Sequence, residues 1–116
     1  MIDSKWRRVY LLNAPVVTDF GIYVFAPLDL ACAREIAVTA DHRGVFVSAI
    51  GHEPTAQLIS ELLDLEIKTQ RIEITQQPNE IAIVFRLKSR IREGHLLSIE
   101  EIGEIGYDFG LLKKIE

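Results

Sequence analysis

Apolar and polar positions recur along the chain with two different periods, which predict a mixture of strands and helices. Nearly continuous apolar runs over residues 8–12 and 45–50 are typical of strands that are buried on both faces of a sheet. A shorter apolar run over residues 22–25 predicts another strand, which we expect Pro27 to close.

Two segments have helical spacing, and a third carries a helix-start motif. Asp29 can cap a helix that runs to Ala40, with the inward positions Leu30, Ala33, Ile36 and Ala37. Residues 55–65 predict a helix with the buried stripe Leu58, Ile59, Leu62 and Leu63. The capping box Ser98-Ile99-Glu100-Glu101 predicts a short helix that ends near Gly106.

The second half of the chain predicts further strands. Residues 71–75 and 80–87 are expected to form a β-hairpin around Gln77-Pro78-Asn79, and in the second arm alternate residues face opposite sides of the sheet. Residues 107–115 are expected to add a final edge strand. The predicted fold class is therefore α/β: a single small domain over residues 1–116, with a mixed β-sheet flanked by helices.

Composition limits the classes of function. The chain has 116 residues, of which 48% are hydrophobic, and a net charge of −4. That charge argues against holding long DNA or RNA by charge alone, but it permits a small anionic ligand in a local basic pocket. Cys32 is the only cysteine and is expected to be buried, so no disulfide or cysteine metal site is predicted. No apolar membrane span or signal peptide is evident, which predicts a cytoplasmic protein.

The pair Gly51-His52 joins a predicted strand to a predicted helix that has Pro54 in its first turn. Free N–H groups at a helix start attract phosphate oxygens, and glycine lets a ligand approach the backbone. Histidine transfers protons readily near neutral pH. These features indicate an enzyme that acts on a small phosphate ester. The alternative is a core or capping histidine.

Other polar residues extend this hypothesis. A charged cluster follows the predicted hairpin and is either part of a site or a solvated strand end: Arg86, Lys88, Arg90, Arg92 and Glu93. Asn13 ends the first strand and is a ligand-binding candidate or a turn residue. Arg71 is a ligand-binding candidate or an exposed strand-end arginine. His42 and His95 are expected at the surface, and the histidine spacing matches no familiar metal site. We expect no metal and no cofactor.

Four motifs in this order resemble one protein family: Val9-Tyr10-Leu11-Leu12-Asn13-Ala14, Ser48-Ala49-Ile50-Gly51-His52-Glu53-Pro54-Thr55, Gln70-Arg71-Ile72-Glu73-Ile74 and Ser89-Arg90-Ile91-Arg92-Glu93-Gly94-His95-Leu96-Leu97. The family is the viral anti-CRISPR ring nucleases that counter type III CRISPR defence, with relatives encoded beside cellular CRISPR loci. The resemblance covers nearly the whole chain. The sequence departs from the family pattern at Pro54, where a hydroxyl residue is common, and at Pro15-Val16, where the family has a Phe-Ser pair.

The resemblance implies a two-fold homodimer that binds cyclic tetra-adenylate. It also implies cleavage, without metal, to linear di-adenylate with a 2′,3′-cyclic phosphate, in the cytoplasm of the host if the protein is viral. The family's catalytic residues fall on His52, Arg90 and Glu93, and its ligand contacts fall on Asn13, Thr55 and Arg71. Gly51 and Arg86 complete the predicted ligand-binding set.

Two other functions remain open. A non-catalytic sponge or sensor for cyclic oligoadenylates would have the same pocket without turnover. A small DNA-binding or structural viral protein would fit the size and the fold class.

Overall fold

In the computed structural model, which describes residues 6–88 and 99–116, a mixed sheet has the strand order β2-β5-β4-β1-β3. The strands are β1 (Val9–Leu12), β2 (Tyr23–Leu28), β3 (Phe46–Ser48), β4 (Ile81–Leu87) and β5 (Tyr107–Lys114). Strand β1 pairs in parallel with β3 and with β4, whereas β5 pairs antiparallel with β4 and with β2. The predicted mixed sheet is confirmed.

The strand positions confirm some predictions and correct others. All residues of β1 are buried, as expected of a strand with a neighbour on each side. The strand predicted over residues 45–50 is shorter in the structure and spans Phe46–Ser48. Strand β5 is internal, so its predicted edge position was wrong. Strand β2 continues through Pro27, because it lies at the sheet edge, where a missing N–H leaves no neighbouring strand unpaired.

The helices α1 (Leu30–His42), α2 (Glu53–Leu63) and α3 (Ile99–Ile105) confirm the helical segments. The Asp29 carboxylate caps α1 by accepting a hydrogen bond from the Cys32 amide at 2.7 Å. The predicted stripe of α2 is buried in full. Cys32 is exposed, so its predicted burial was wrong. It lies off the face of α1 that is buried, which consists of Ala33, Ala37 and Ala40.

The two faces of the sheet are covered differently. Ile81, Ile83 and Phe85 of β4 pack in one core with buried residues of all three helices. The opposite face, here called the helix-free face, consists of Tyr10, Leu12, Ala82, Val84 and Leu112. The alternation predicted for β4 is therefore confirmed, but among the described residues the helices flank only one face. No helix in the described ranges is long and apolar enough to cross a membrane.

The first arm of the predicted hairpin was also wrong. Residues 71–75 form no strand, because both edges of β4 are already paired, one with β1 and the other with β5. The chain instead runs into Gln76, which is completely buried. The Gln76 Nε2 group donates to the carbonyl oxygens of Glu80 and Leu112, each at 3.0 Å. These side-chain hydrogen bonds, and not backbone pairing with a neighbouring strand, hold this part of the chain against the sheet.

Substitution of Tyr10 tests a buried polar contact between β1 and Glu80, the residue that precedes β4. Its hydroxyl donates to the Glu80 carboxylate at 3.1 Å, and Glu80 is completely buried. Burial raises the pKa of Tyr10, and the Glu80 carboxylate raises it further. Because Tyr10→Phe leaves a buried carboxylate without one donor, we expect the free energy of unfolding to fall by about 1–3 kcal/mol in urea titration.

Tyr23→Phe is the matched control, because the Tyr23 hydroxyl donates to the Asp19 carbonyl at the surface. It should change the free energy of unfolding by no more than about 0.5 kcal/mol. Equal effects of the two substitutions would contradict the importance of the buried contact.

Candidate functional site

The carboxyl ends of β1 and β3 lie side by side at one edge of the sheet. Leu11 is opposite Ser48, and the Ala49 amide donates to the Leu11 carbonyl at 3.0 Å. Asn13 directly follows β1, and His52 lies a few residues beyond the end of β3. Since the carboxyl ends of neighbouring parallel strands meet at one edge, the fold brings these predicted site residues to the same edge.

Gln70, which the sequence did not predict to be part of the site, and Arg71, which it did, hold the chain at the end of β3. The Gln70 amide donates to the Ile50 carbonyl, and the Gln70 side-chain Nε2 donates to the Ser48 carbonyl, each at 2.8 Å. Arg71 Nε then donates to the Gly51 carbonyl at 2.9 Å. These bonds occupy the carbonyl group of Ser48, the last residue of β3, and those of Ile50 and Gly51 just beyond it, and they hold Arg71 beside the residue that precedes His52.

The structure gives a steric reason for a glycine at position 51. A Cβ atom at this position would lie 2.8 Å from Arg71 Cγ, which is closer than real Cβ contacts come. The sequence hypothesis held that Gly51 lets a ligand approach the backbone. In the structure the Arg71 side chain makes that close approach, so Gly51 contributes to the site by allowing Arg71 to lie against the chain.

His52 is exposed and occupies the N-cap position of α2. Its ring nitrogen Nδ1 lies 3.1 Å from Thr55 Oγ1. The first turn of α2 also contains Glu53 and Pro54. Proline has no N–H group, and an acidic side chain disfavours a neighbouring anion, so this helix start is a weaker phosphate site than the sequence hypothesis assumed.

Asn13 lies at the rim of a groove over the helix-free face. The groove has a volume of about 540 Å³ and is lined by apolar and polar residues together, among them Leu12, Ala49, Thr18, Glu73 and Thr75. Several large apolar side chains around it are exposed, namely Val16, Val17 and Ile72. A groove of this size can accept a small organic ligand.

Arg86 lies in a different environment from His52. It forms a bidentate ion pair with Asp108, with nitrogen–oxygen distances of 2.9 and 3.0 Å, and its guanidinium lies 5.5 Å from the centre of the Phe25 ring. The hydrogen bonds from Arg86 lower the pKa of Asp108, and those to Asp108 raise the pKa of Arg86. The role of Arg86 in ligand binding stays a prediction.

The remaining predicted residues fall in two groups. Arg90 and Glu93, together with Arg92 and His95, lie outside the described residues. His42 is exposed in the last turn of α1, in agreement with a surface position. Within the ranges that the structure describes, no group of three or more histidine, cysteine, aspartate or glutamate side chains is arranged to hold a metal ion.

Sequence reasoning missed Gln70. The motif Gln70-Arg71 was visible, but a glutamine in a polar stretch carries no signal that distinguishes a solvated side chain from one that bonds to a backbone carbonyl. Its role follows only from the position of residues 66–71 beside β3.

The site and the fold define a small α/β protein with a histidine at the carboxyl edge of a mixed sheet. Residues 9–109 match the STIV B116-like family, and the chain belongs to that family. It is 31% identical over 114 residues to protein ORF117 of Acidianus two-tailed virus, a match that covers 96% of this chain and 97% of the relative. It is also 31% identical over 109 residues to YddF of Bacillus subtilis, covering 94% of this chain and 99% of that protein.

The fold is similar to that of a solved structure. B116 of Sulfolobus turreted icosahedral virus superposes with a TM-score of 0.79 and 23% identity, covering 91% of this chain and 98% of that chain. This likeness supports the small α/β architecture and its mixed sheet.

Substitution of Gly51 tests the packing of Arg71. Because a Cβ atom would collide with Arg71 Cγ, Gly51→Ala should displace the arginine, break its bond to the Gly51 carbonyl and lower the free energy of unfolding by about 1 kcal/mol. Gly103→Ala in α3 is the control, since a Cβ atom there meets nothing within 4 Å. We expect the control to be neutral or stabilising. An unchanged Arg71 side-chain NMR signal in Gly51→Ala would contradict this packing.

The Arg86–Asp108 pair predicts a pH dependence of stability. The pKa of Asp108 is lowered in the folded state, so its contribution is present above the unfolded pKa and is lost as the pH falls through the folded value. Acid titration of the free energy of unfolding below about pH 5 should therefore show a smaller loss in Asp108→Asn than in the parent protein. Equal losses in the two proteins would contradict this contribution of the ion pair.

Proposed function

We propose that the protein is a metal-independent ring nuclease that binds cyclic tetra-adenylate between two copies of the chain. It cleaves the ring to linear di-adenylate with a 2′,3′-cyclic phosphate and so switches off type III CRISPR signalling. The observation that supports this proposal best is the grouping of an exposed His52 with the Arg71-bound Gly51 and with Asn13 at one sheet edge. The grouping offers a proton donor and a cation to one phosphate ester.

The reaction uses a nucleophile that the ring itself carries. The ribose 2′-oxygen attacks phosphorus, the bond from phosphorus to the 5′-oxygen breaks, and the proton of the 2′-hydroxyl is released to solvent. His52 donates a proton to the departing 5′-oxygen as general acid. Arg90 neutralises charge on the non-bridging oxygens, and Glu93 is the third catalytic residue that the family resemblance implies.

The positive charge needed for the phosphates comes from side chains more than from the helix start. Pro54 removes one amide donor from the first turn of α2, and Glu53 adds a negative charge there. Arg71 is held at the neighbouring residue by its bond to Gly51. A guanidinium can bind two phosphate oxygens at once, which makes Arg71 the described residue best suited to bind a phosphate of the ring.

A second copy of the chain fits both the ligand and the surface. A ring with near four-fold symmetry can offer identical halves to two identical subunits. Val16, Val17 and Phe20 are exposed in the segment that borders the groove, and Phe20 is 96% exposed. Exposed apolar side chains grouped in this way are typical of an interface. Burial against a second copy also accounts for the high hydrophobic content of an acidic chain.

The alternative is a non-catalytic module that binds cyclic oligoadenylates. The groove beside Asn13 and the guanidinium of Arg71 favour binding whether or not a reaction follows. Turnover distinguishes the two functions, since a sponge or sensor releases the ring unchanged.

The experiment incubates the protein with excess cyclic tetra-adenylate and identifies products by mass spectrometry. We expect several rings cleaved per dimer, and we expect His52→Ala to lose at least about 100-fold in rate while it still binds the ring. His42→Ala is the control, because His42 is an exposed histidine at the end of α1. Normal cleavage by His52→Ala would overturn the assignment, and binding without turnover in the parent protein would favour the sponge.

A further inference from the structure

We propose that Thr55 is a positioning residue: it holds Nδ1 of His52 and so makes Nε2 the ring nitrogen that exchanges a proton with a bound phosphate ester. The inference about the substrate rests on the proposed function, but the contact exists in the protein without ligand. His52 Nδ1 lies 3.1 Å from Thr55 Oγ1, within hydrogen-bond distance. The two residues are three positions apart, the spacing at which side chains meet along a helix.

The backbone on both sides of the His52 ring is already fixed. The Gly51 carbonyl accepts from Arg71 Nε at 2.9 Å, and the His52 carbonyl accepts the first helical bond, from the Ala56 amide, at 3.0 Å. The freedom that remains is rotation of the imidazole about its side-chain torsions. A hydrogen bond from Nδ1 to a neighbouring helix residue restricts that rotation and turns the other ring nitrogen away from the helix.

Thr55 is a suitable partner because its own side chain has little freedom. It is half-buried and lies in the first turn of α2, where Ala56 is buried. A β-branched side chain has few χ1 rotamers in a helix, so the hydroxyl is held in place without a large loss of entropy when the bond forms. The ring is thereby oriented by a rigid element and not by a loop.

The chemistry of the hydroxyl fits a histidine that acts as an acid. In the imidazolium both ring nitrogens carry protons, and Nδ1–H donates to Thr55 Oγ1. When the Nε2–H bond breaks and a new O–H bond forms on the departing sugar oxygen, the neutral ring keeps its proton on Nδ1. With Thr55 Oγ1 as the acceptor, the same hydrogen bond serves the ring before and after the transfer, and the neutral ring carries its proton on Nδ1.

A positioning residue and a ligand contact have different consequences. The resemblance placed Thr55 among the ligand contacts, where its loss would weaken binding. If Thr55 acts through His52, its loss changes the ring tautomer in the free protein and lowers the rate of the bound complex, with little effect on affinity. The two roles therefore differ in a measurement that needs no ligand and in the split between binding and rate.

The first experiment measures ¹⁵N chemical shifts of the His52 ring in the ligand-free protein, at a pH where the ring is neutral. We expect the proton on Nδ1 in the parent protein and in Thr55→Ser, and a loss of this preference in Thr55→Val. Thr39→Val, a substitution of a threonine in α1, is the control and should leave the His52 signals unchanged. A proton on Nε2 in the parent protein, or an unchanged pattern in Thr55→Val, would overturn the proposal.

The second experiment uses cyclic tetra-adenylate under single-turnover conditions. We expect Thr55→Val to cleave the bound ring about 10- to 100-fold more slowly, with its dissociation constant changed by no more than about twofold, and we expect Thr55→Ser to restore the rate. A weaker dissociation constant with a normal rate would contradict the positioning role. If the parent protein cleaves no ring, the proposed function fails, whereas the NMR measurement still decides the contact between Thr55 and His52.

Discussion

The parallel pairing of β1 with β3 is the constraint on which the candidate site depends. Because the two strands run in the same direction, Asn13 and the Gly51-His52 pair leave the sheet at the same edge. An antiparallel pairing would have sent them to opposite ends of the domain. Strand β4 is also parallel to β1, so its carboxyl end at Leu87 lies at this edge too. The position of the site therefore follows from strand direction before any side chain is considered.

Contacts made at the end of the outermost strand, β3, also support the candidate site. Strand β3 is an edge strand, and an edge with unpaired carbonyls invites association with other chains. Gln70 bonds to the carbonyls of Ser48, at the end of this strand, and of Ile50 just beyond it, and Arg71 bonds to that of Gly51. Loss of these bonds would therefore affect stability and the geometry around His52 together, which is why rate, affinity and unfolding must be measured on the same variants.

Features that depend on neighbouring residues in the sequence were predicted well, whereas pairings between distant strands were predicted poorly. The Asp29 cap and the buried stripe of α2 were readable because each depends on residues within a few turns. The internal position of β5 was not readable, since its pairing with β2 joins residues from distant parts of the chain. The alternation at residues 71–75 is typical of a strand, but it contains nothing that reveals that both edges of β4 are taken. His52 was found because a strand, a glycine and a helix start are adjacent in sequence, whereas Gln70 was missed because its partners are carbonyl groups of another segment.

The surroundings of His52 favour a division of roles between the ring and the arginines. A helix start alone disfavours a protonated histidine and attracts phosphate. Here Pro54 and Glu53 weaken phosphate binding at the helix start, because one amide is missing and one carboxylate is present in the first turn. In the proposed reaction, the neutralisation of phosphate charge therefore falls to guanidinium groups, of which Arg71 is bound to the carbonyl of Gly51, the residue before His52, and His52 transfers the proton.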